Sequence, residues 1–222
     1  MHRLSDTKTE KLAKVITGSH SGQLNKVLVV GCGDGIEAAI LAAELKAGVT
    51  GIDLLADFDP LAKTMCLLKT GDAMNLEFES GSFDLVFSYH ALEHIEDPIR
   101  ALKEMRRVLR EGGSFWIGTP NRSRMVGYIG GKNASLADKV RWNIADWNAR
   151  LRGRFENRFG AHAGFSSNEL RELLSSVFSV VYDRTLDYYL AIYTSKSAVI
   201  RKIDSIGLSN RIFPSVYFSG SK

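Results

Sequence analysis

A chain of 222 residues with 45% hydrophobic and 24% charged side chains has the composition of a soluble globular protein and the length of one domain with a sizeable core. Its net charge of +4 singles out no partner class, and its two cysteines, Cys32 and Cys66, are too few for a disulfide framework, which suits a cytoplasmic protein. The opening MHRLSDTKTEK has no apolar stretch of the secretory kind, and runs such as YYLAIY fall far short of the ~20 residues of a membrane span.

Short apolar runs then alternate with helical patterns, which predicts an α/β fold with a mostly parallel sheet. TEKLAKVI places Leu12, Val15 and Ile16 at helical spacing ahead of KVLVV (26–30), the first strand. IEAAILAAELKAG is a helix expected to end in glycine. VTGID (49–53), MCLLKTGD (65–72), SFDLVFSY (82–89) and SFWIGTP (114–120) follow as strands, with the helix DPIRALKEMRRVLREGG (97–113) before the last of them. SNELRELLSSV is a helix with a Ser-x-x-Glu cap, FSVVYDRTL a strand, SAVIRKIDSIG a further helix and PSVYFSGSK the final strand. The last strands are expected to add an antiparallel edge to the parallel sheet.

Residues 121–160 interrupt the rhythm within what is expected to be a single domain over 1–222. KVRWNIADWNARLRGRF aligns Val140, Ile144, Trp147 and Leu151, so a helix should lay this apolar face on the domain as a lid. The segment holds nine Lys or Arg against three Asp or Glu, a charge of +6 that suggests an anionic acceptor. Tyr128 and Trp142 are the expected lid contacts. SAVIRKIDSIG could present Lys196, Arg201 and Lys202 to lipid headgroups, although packing on the domain is the preferred role.

VLVVGCGDG puts Gly31, Gly33 and Gly35, with Cys32 among them, at the turn from the first strand into a helix. Glycine there lets a nucleotide-like ligand approach the backbone. A dinucleotide loop of the G-x-G-x-x-G kind would need glycine where the chain has Ile36. Asp53 closes the second strand 22 residues after Gly31, where a carboxylate can accept hydrogen bonds from ribose hydroxyls.

These motifs, together with GDAMNLEFESGSFDLVFSYHALEHIEDPIRALKEMRRVLREGGSFWIGTPN, resemble the class I S-adenosylmethionine-dependent methyltransferases over residues 26–121. The resemblance implies a Rossmann-like seven-stranded sheet with an antiparallel last strand and helices on both faces. It implies S-adenosylmethionine as cofactor and a small-molecule or lipid-linked acceptor. The implied cofactor residues are Gly31, Cys32, Gly33 and Gly35, Asp53 at the ribose, Asp72 and Ala73 at the adenine, and Ser88 and Tyr89 beside them. With only 18 residues between Asp53 and Asp72, the usual helix there must be short. An RNA methyltransferase and a non-catalytic S-adenosylmethionine-binding domain are the alternatives, the first disfavoured by the scarcity of aromatics in the basic segment.

His90-Ala91-Leu92-Glu93-His94 also spells H-x-x-E-H, an inverted zinc-protease signature. That chemistry needs both histidines within a helix, whereas His90 directly follows a strand at the edge where α/β folds bind ligands. Some members of the resembled family ligate a divalent metal through E-x-x-E-H, with His162 here as a distant further ligand. Replacing a hard oxygen ligand by the His90 imidazole argues against magnesium, so no metal is expected. If the acceptor is a hydroxyl, His90 or His162 would be the general base.

Overall fold

The protein is described here by a computed structural model covering residues 6–20, 22–55, 57–128, 134–157 and 163–222. Seven strands form one sheet in the order β3-β2-β1-β4-β5-β7-β6. They are β1 (Lys26–Val30), β2 (Gly48–Asp53), β3 (Leu67–Thr70), β4 (Phe83–Tyr89), β5 (Leu109–Pro120), β6 (Val180–Asp183) and β7 (Ser215–Ser221). Strands β1 to β5 pair in parallel, and β7 runs antiparallel between β5 and β6.

The central strands are apolar throughout because both of their faces are covered. Val27 and Val29 of β1 point into one core layer, with α1 (Thr7–Ser19), α2 (Ile36–Leu45), α7 (Thr185–Ile192) and α8 (Ser197–Ser205). Leu28 and Val30 point into the other, with α4 (Pro98–Val108) and α6 (Ser167–Ser175). Caps start several of these helices: Asp6 accepts from Thr9 N, Asp97 accepts from Arg100 N ahead of Pro98, and Ser166 and Glu169 form a complete capping box.

Three boundaries differ from expectation, each for a local reason. α2 ends on Lys46 in the left-handed conformation, and the glycine two residues later belongs to β2. α4 stops at Val108 because Leu109 already pairs with Phe83, so residues 109–113 join β5. β6 stops at Asp183, whose carboxylate accepts from Thr185 N and starts α7. Between β2 and β3 the only helix among the described residues is α3 (Ala62–Met65), one turn long, in line with the short helix expected from the spacing. Two further α-helices, α5 (Leu136–Leu151) and α9 (Ser209–Ile212), and short 3-10 turns at Leu92–His94 and Thr194–Lys196 complete the elements among the described residues.

Candidate active site

The C-terminal edge of β1, β2 and β4 is built around the glycine loop. Ile52 O accepts from both Gly31 N and Cys32 N, at 2.9 and 3.0 Å, which ties the loop to β2. Gly31, Gly33 and Gly35 all have positive φ, of 74°, 54° and 83°, so each needs glycine on conformational grounds alone. Their surroundings differ. A Cβ on Gly31 would strike Ala91 and one on Gly35 would strike Leu68, whereas a Cβ on Gly33 would enter open space. Close packing therefore explains two of the glycines, and only Gly33 borders room for a ligand. Cys32 turns its side chain into the core, where burial, reinforced by Asp53, pushes its thiol up to about 12, so it offers a ligand only its backbone.

Asp53 stands at the end of β2 with one carboxylate oxygen accepting from Gly33 N at 2.8 Å and the other from Leu55 N at 3.2 Å. It thus braces the loop while keeping lone pairs for a ligand hydroxyl. Asp72 similarly accepts from Met74 N at 2.8 Å beside the half-buried Ala73. Leu54 and Leu55, between these two acids in sequence, are exposed apolar side chains that motif spacing alone had not singled out. Ser88 is fully buried on β4, with no hydrogen-bond partner for its hydroxyl among the described residues.

Tyr89, at the end of β4, lines a cavity of about 540 Å³. Its hydroxyl meets those of Tyr188 at 2.8 Å and Tyr217 at 3.4 Å, and burial raises its pKa. Tyr189, Phe213 and Ile200 extend the apolar wall, while His90, Ser215, Lys8 and Lys196 supply the polar lining. Sequence reasoning missed this aromatic chamber. Its only trace was the tyrosines of α7, which read as an ordinary apolar run.

His90 joins the two halves of the site. It holds a left-handed conformation (φ 54°), fixed by its N–H donating to Gly118 O at 2.8 Å. Such a conformation is costly for a residue with a side chain and is often found at functional sites. Its Nε2 lies 3.3 Å from Ser215 Oγ, and its Nδ1 lies 3.7 Å from the buried Glu93 carboxylate. His94 Nε2 is 3.9 Å from the same carboxylate oxygen. Among the described residues no group of three or more His, Cys, Asp or Glu could hold a metal ion. His162, the other candidate base, lies outside the described residues.

The basic segment departs from expectation. α5 docks through its polar side: Asn143 exchanges hydrogen bonds with both backbone groups of Gly127, and Asp146 accepts from buried Arg124 at 3.0 Å and from Tyr128 at 3.2 Å. Satisfying these polar groups turns Val140, Ile144 and Leu151 outward, so the apolar face does not lie on the domain. Trp142 does meet Tyr128, with ring centroids 5.1 Å apart. Arg150 is no free cation; it donates to Arg124 O and stacks on Phe155.

Comparison with known proteins places this geometry. The methyltransferase-domain family profile matches residues 28–117. The ubiquinone biosynthesis O-methyltransferase of Cupriavidus pinatubonensis is 28% identical over 182 residues, covering 75% of this chain and 72% of that protein. The chloroplastic tocopherol O-methyltransferase of Arabidopsis thaliana is 34% identical over 119 residues, 49% of this chain and 34% of its own length. A solved S-adenosylmethionine-dependent methyltransferase of Thermotoga maritima, described as a possible histamine N-methyltransferase, superposes with a TM-score of 0.57 at 20% identity. That likeness covers 97% of this chain and 89% of the other, and it speaks for the fold alone. The profile match takes in β1, the glycine loop, the acid of β2 and the β4 edge, so residues 28–117 match a methyltransferase domain, and with the named relatives this supports a class I S-adenosylmethionine-dependent methyltransferase.

Proposed function

We propose that the protein methylates a hydroxyl of an apolar, ring-bearing small molecule held in the tyrosine-lined cavity. The observation that carries this reading is the position of His90. Its neighbour Ala91 packs against Gly31 of the loop, while His90 itself lines the cavity. The residues present fit the cofactor: Gly33 borders open space, Asp53 has acceptor capacity for ribose hydroxyls, and Leu54 and Leu55 offer apolar surface to a flat base. Asp72 and Ala73 would face its adenine end, and Gly31, Cys32 and Gly35 shape the loop. When bound, the cofactor supplies an electrophilic methyl group on a positively charged sulfur.

The chain's contribution is alignment and proton removal. Tyr89, Tyr188 and Tyr217 wall off water and orient a flat acceptor, since aromatic faces favour offset contact with rings. His90, turned toward Ser215 on one side and Glu93 on the other, takes the hydroxyl proton as the acceptor oxygen attacks. Lys8 and Lys196 on the cavity wall favour an acceptor carrying a negative group. The apolar remainder of the wall suits a lipid-linked acceptor, and the names of the ubiquinone and tocopherol O-methyltransferase relatives point the same way. A cytoplasmic location agrees with the free thiols of Cys32 and Cys66. The RNA alternative gains nothing from α5, whose Trp147 commits its N–H to Met125 O and whose Trp142 packs on Tyr128.

The test is a screen of phenols with apolar tails, following S-adenosylhomocysteine release, repeated with His90→Asn. With the best acceptor kcat should fall about 10²–10⁴-fold, as for loss of a general base, while cofactor affinity by calorimetry holds. An unchanged kcat would remove His90 from the mechanism.

A further inference from the structure

α5 wears its apolar residues on the outside. Leu136, Val140, Ile144, Trp147 and Leu151 form one stripe and are 47% to 86% exposed. Burying this stripe was open to the helix, but the helix is anchored by Asn143, Asp146 and Arg150 instead. Met125 and Val126 are exposed as well, and Met125 is joined to the stripe by the Trp147 hydrogen bond to its carbonyl. A continuous apolar surface of this kind on a folded protein marks a place where something binds.

We infer that this face docks on a membrane surface rich in anionic lipid headgroups, with α5 lying in the interface plane. The argument is charge complementarity around the stripe. Arg141 flanks it along the helix, and exposed Arg152 and Arg154 follow its C-terminal end. Of the two acids of α5, Asp146 is held by buried Arg124 and Asp138 pairs with Arg141, so the positive margin rests mainly on Arg152 and Arg154. An amphipathic helix with a polar anchoring side, an apolar side and a cationic margin has the chemistry of an interfacial helix. Trp147, its N–H already satisfied, presents an amphipathic ring suited to headgroup depth. The stripe spans roughly 22 Å at 1.5 Å per residue, enough to lie along a bilayer and too short to cross it. A second copy of the chain fits less well, because stripe-to-stripe packing would bring two sets of arginines together.

The surface adjoins the cavity. Tyr128 lines the cavity and contacts both Asp146 and Trp142 of α5. A docked helix would therefore hold the acceptor chamber next to the bilayer.

Flotation of the full chain with phosphatidylcholine vesicles, with and without phosphatidylglycerol, tests this in the absence of any acceptor. The protein should float with the anionic vesicles, less so in high salt, and only weakly with phosphatidylcholine alone. Val140→Glu/Ile144→Glu and, separately, Arg141→Glu/Arg152→Glu/Arg154→Glu should each weaken binding at least about tenfold. Both variants change exposed side chains, and unchanged cofactor affinity by calorimetry would show that they fold. Brominated lipid should quench tryptophan fluorescence in the parent and much less in Trp147→Phe. Failure of the parent to float, or equal flotation of the Val140→Glu/Ile144→Glu variant, overturns the inference. A parent dimer in sedimentation that this variant dissociates overturns it in favour of self-association. None of these outcomes bears on methyl transfer by His90, so the two readings fail separately.

Discussion

Glu93 Oε1 lies 3.7 Å from His90 Nδ1, and the Glu93 side chain is buried without a hydrogen-bond partner among the described residues. The carboxylate stands between two imidazoles, since His94 Nε2 is 3.9 Å from the same oxygen. His90 itself is positioned by its N–H bond to Gly118 O and by the contact of its Nε2 with Ser215 Oγ.

If packing the turn after β4 is the whole role of H-x-x-E-H, a divalent ion is not required. Dialysis against EDTA should leave the melting temperature and methyl transfer unchanged. A stoichiometric ion in metal analysis, with activity lost on chelation and restored by that ion, would make His90, Glu93 and His94 ligands.

Asp53 serves the loop and the ligand at once, so its variants should separate the two roles. Asp53→Ala should cost about 2–3 kcal/mol of cofactor affinity, the scale of a charge-assisted hydrogen bond left unmade. Asp53→Asn keeps an acceptor for Gly33 N and should lose less. Calorimetry that gives both variants the parent affinity would remove Asp53 from the cofactor site.

The glycines should divide in the same way. Gly31→Ala brings its Cβ onto Ala91 in a left-handed conformation, so it should lower the melting temperature sharply. Gly33→Val adds a Cβ that meets no neighbouring atom, and its left-handed backbone should cost the fold about 1–2 kcal/mol of strain. Its side chain occupies the open space, however, and should abolish cofactor binding. Tight binding by a folded Gly33→Val protein would move the cofactor off the loop.

Glu37 in the first turn of α2 has its carboxyl pushed up to about 8, chiefly by burial and then by Asp6, against the favourable Thr9 hydroxyl. A raised folded pKa means that the folded state holds the proton more tightly than the unfolded chain. Its stabilisation is complete below the ordinary range near 4.5 and is lost as pH rises through about 8. Glu37→Gln should therefore flatten the pH dependence of stability over that window and be more stable than the parent at alkaline pH, by up to a few kcal/mol. Parallel denaturation curves for parent and variant across this range would contradict the assignment.

Local signals carried the cofactor half of the site. The strand, the glycine triplet and Asp53 lie within 28 consecutive residues, and their roles follow from backbone conformation and strand geometry. The alternation of apolar runs with helical periods likewise implied a two-faced sheet. Conversely, the close packing that demands Gly31 and Gly35 depends on Ala91 and Leu68, residues distant in the chain.

The acceptor half is a product of tertiary structure. Tyr89 meets Tyr188 and Tyr217, 99 and 128 residues away, only because β7 inserts between β5 and β6 and α7 packs beside it. No sequence period encodes that meeting. In α5 the sequence determined the apolar stripe, but not which way it faces. That was decided when Arg124, brought in from the end of β5, offered Asp146 a buried ion pair and Gly127 offered Asn143 its backbone. A buried polar group left unpaired costs more than an apolar side chain left exposed, so the polar side turned inward and the stripe turned out.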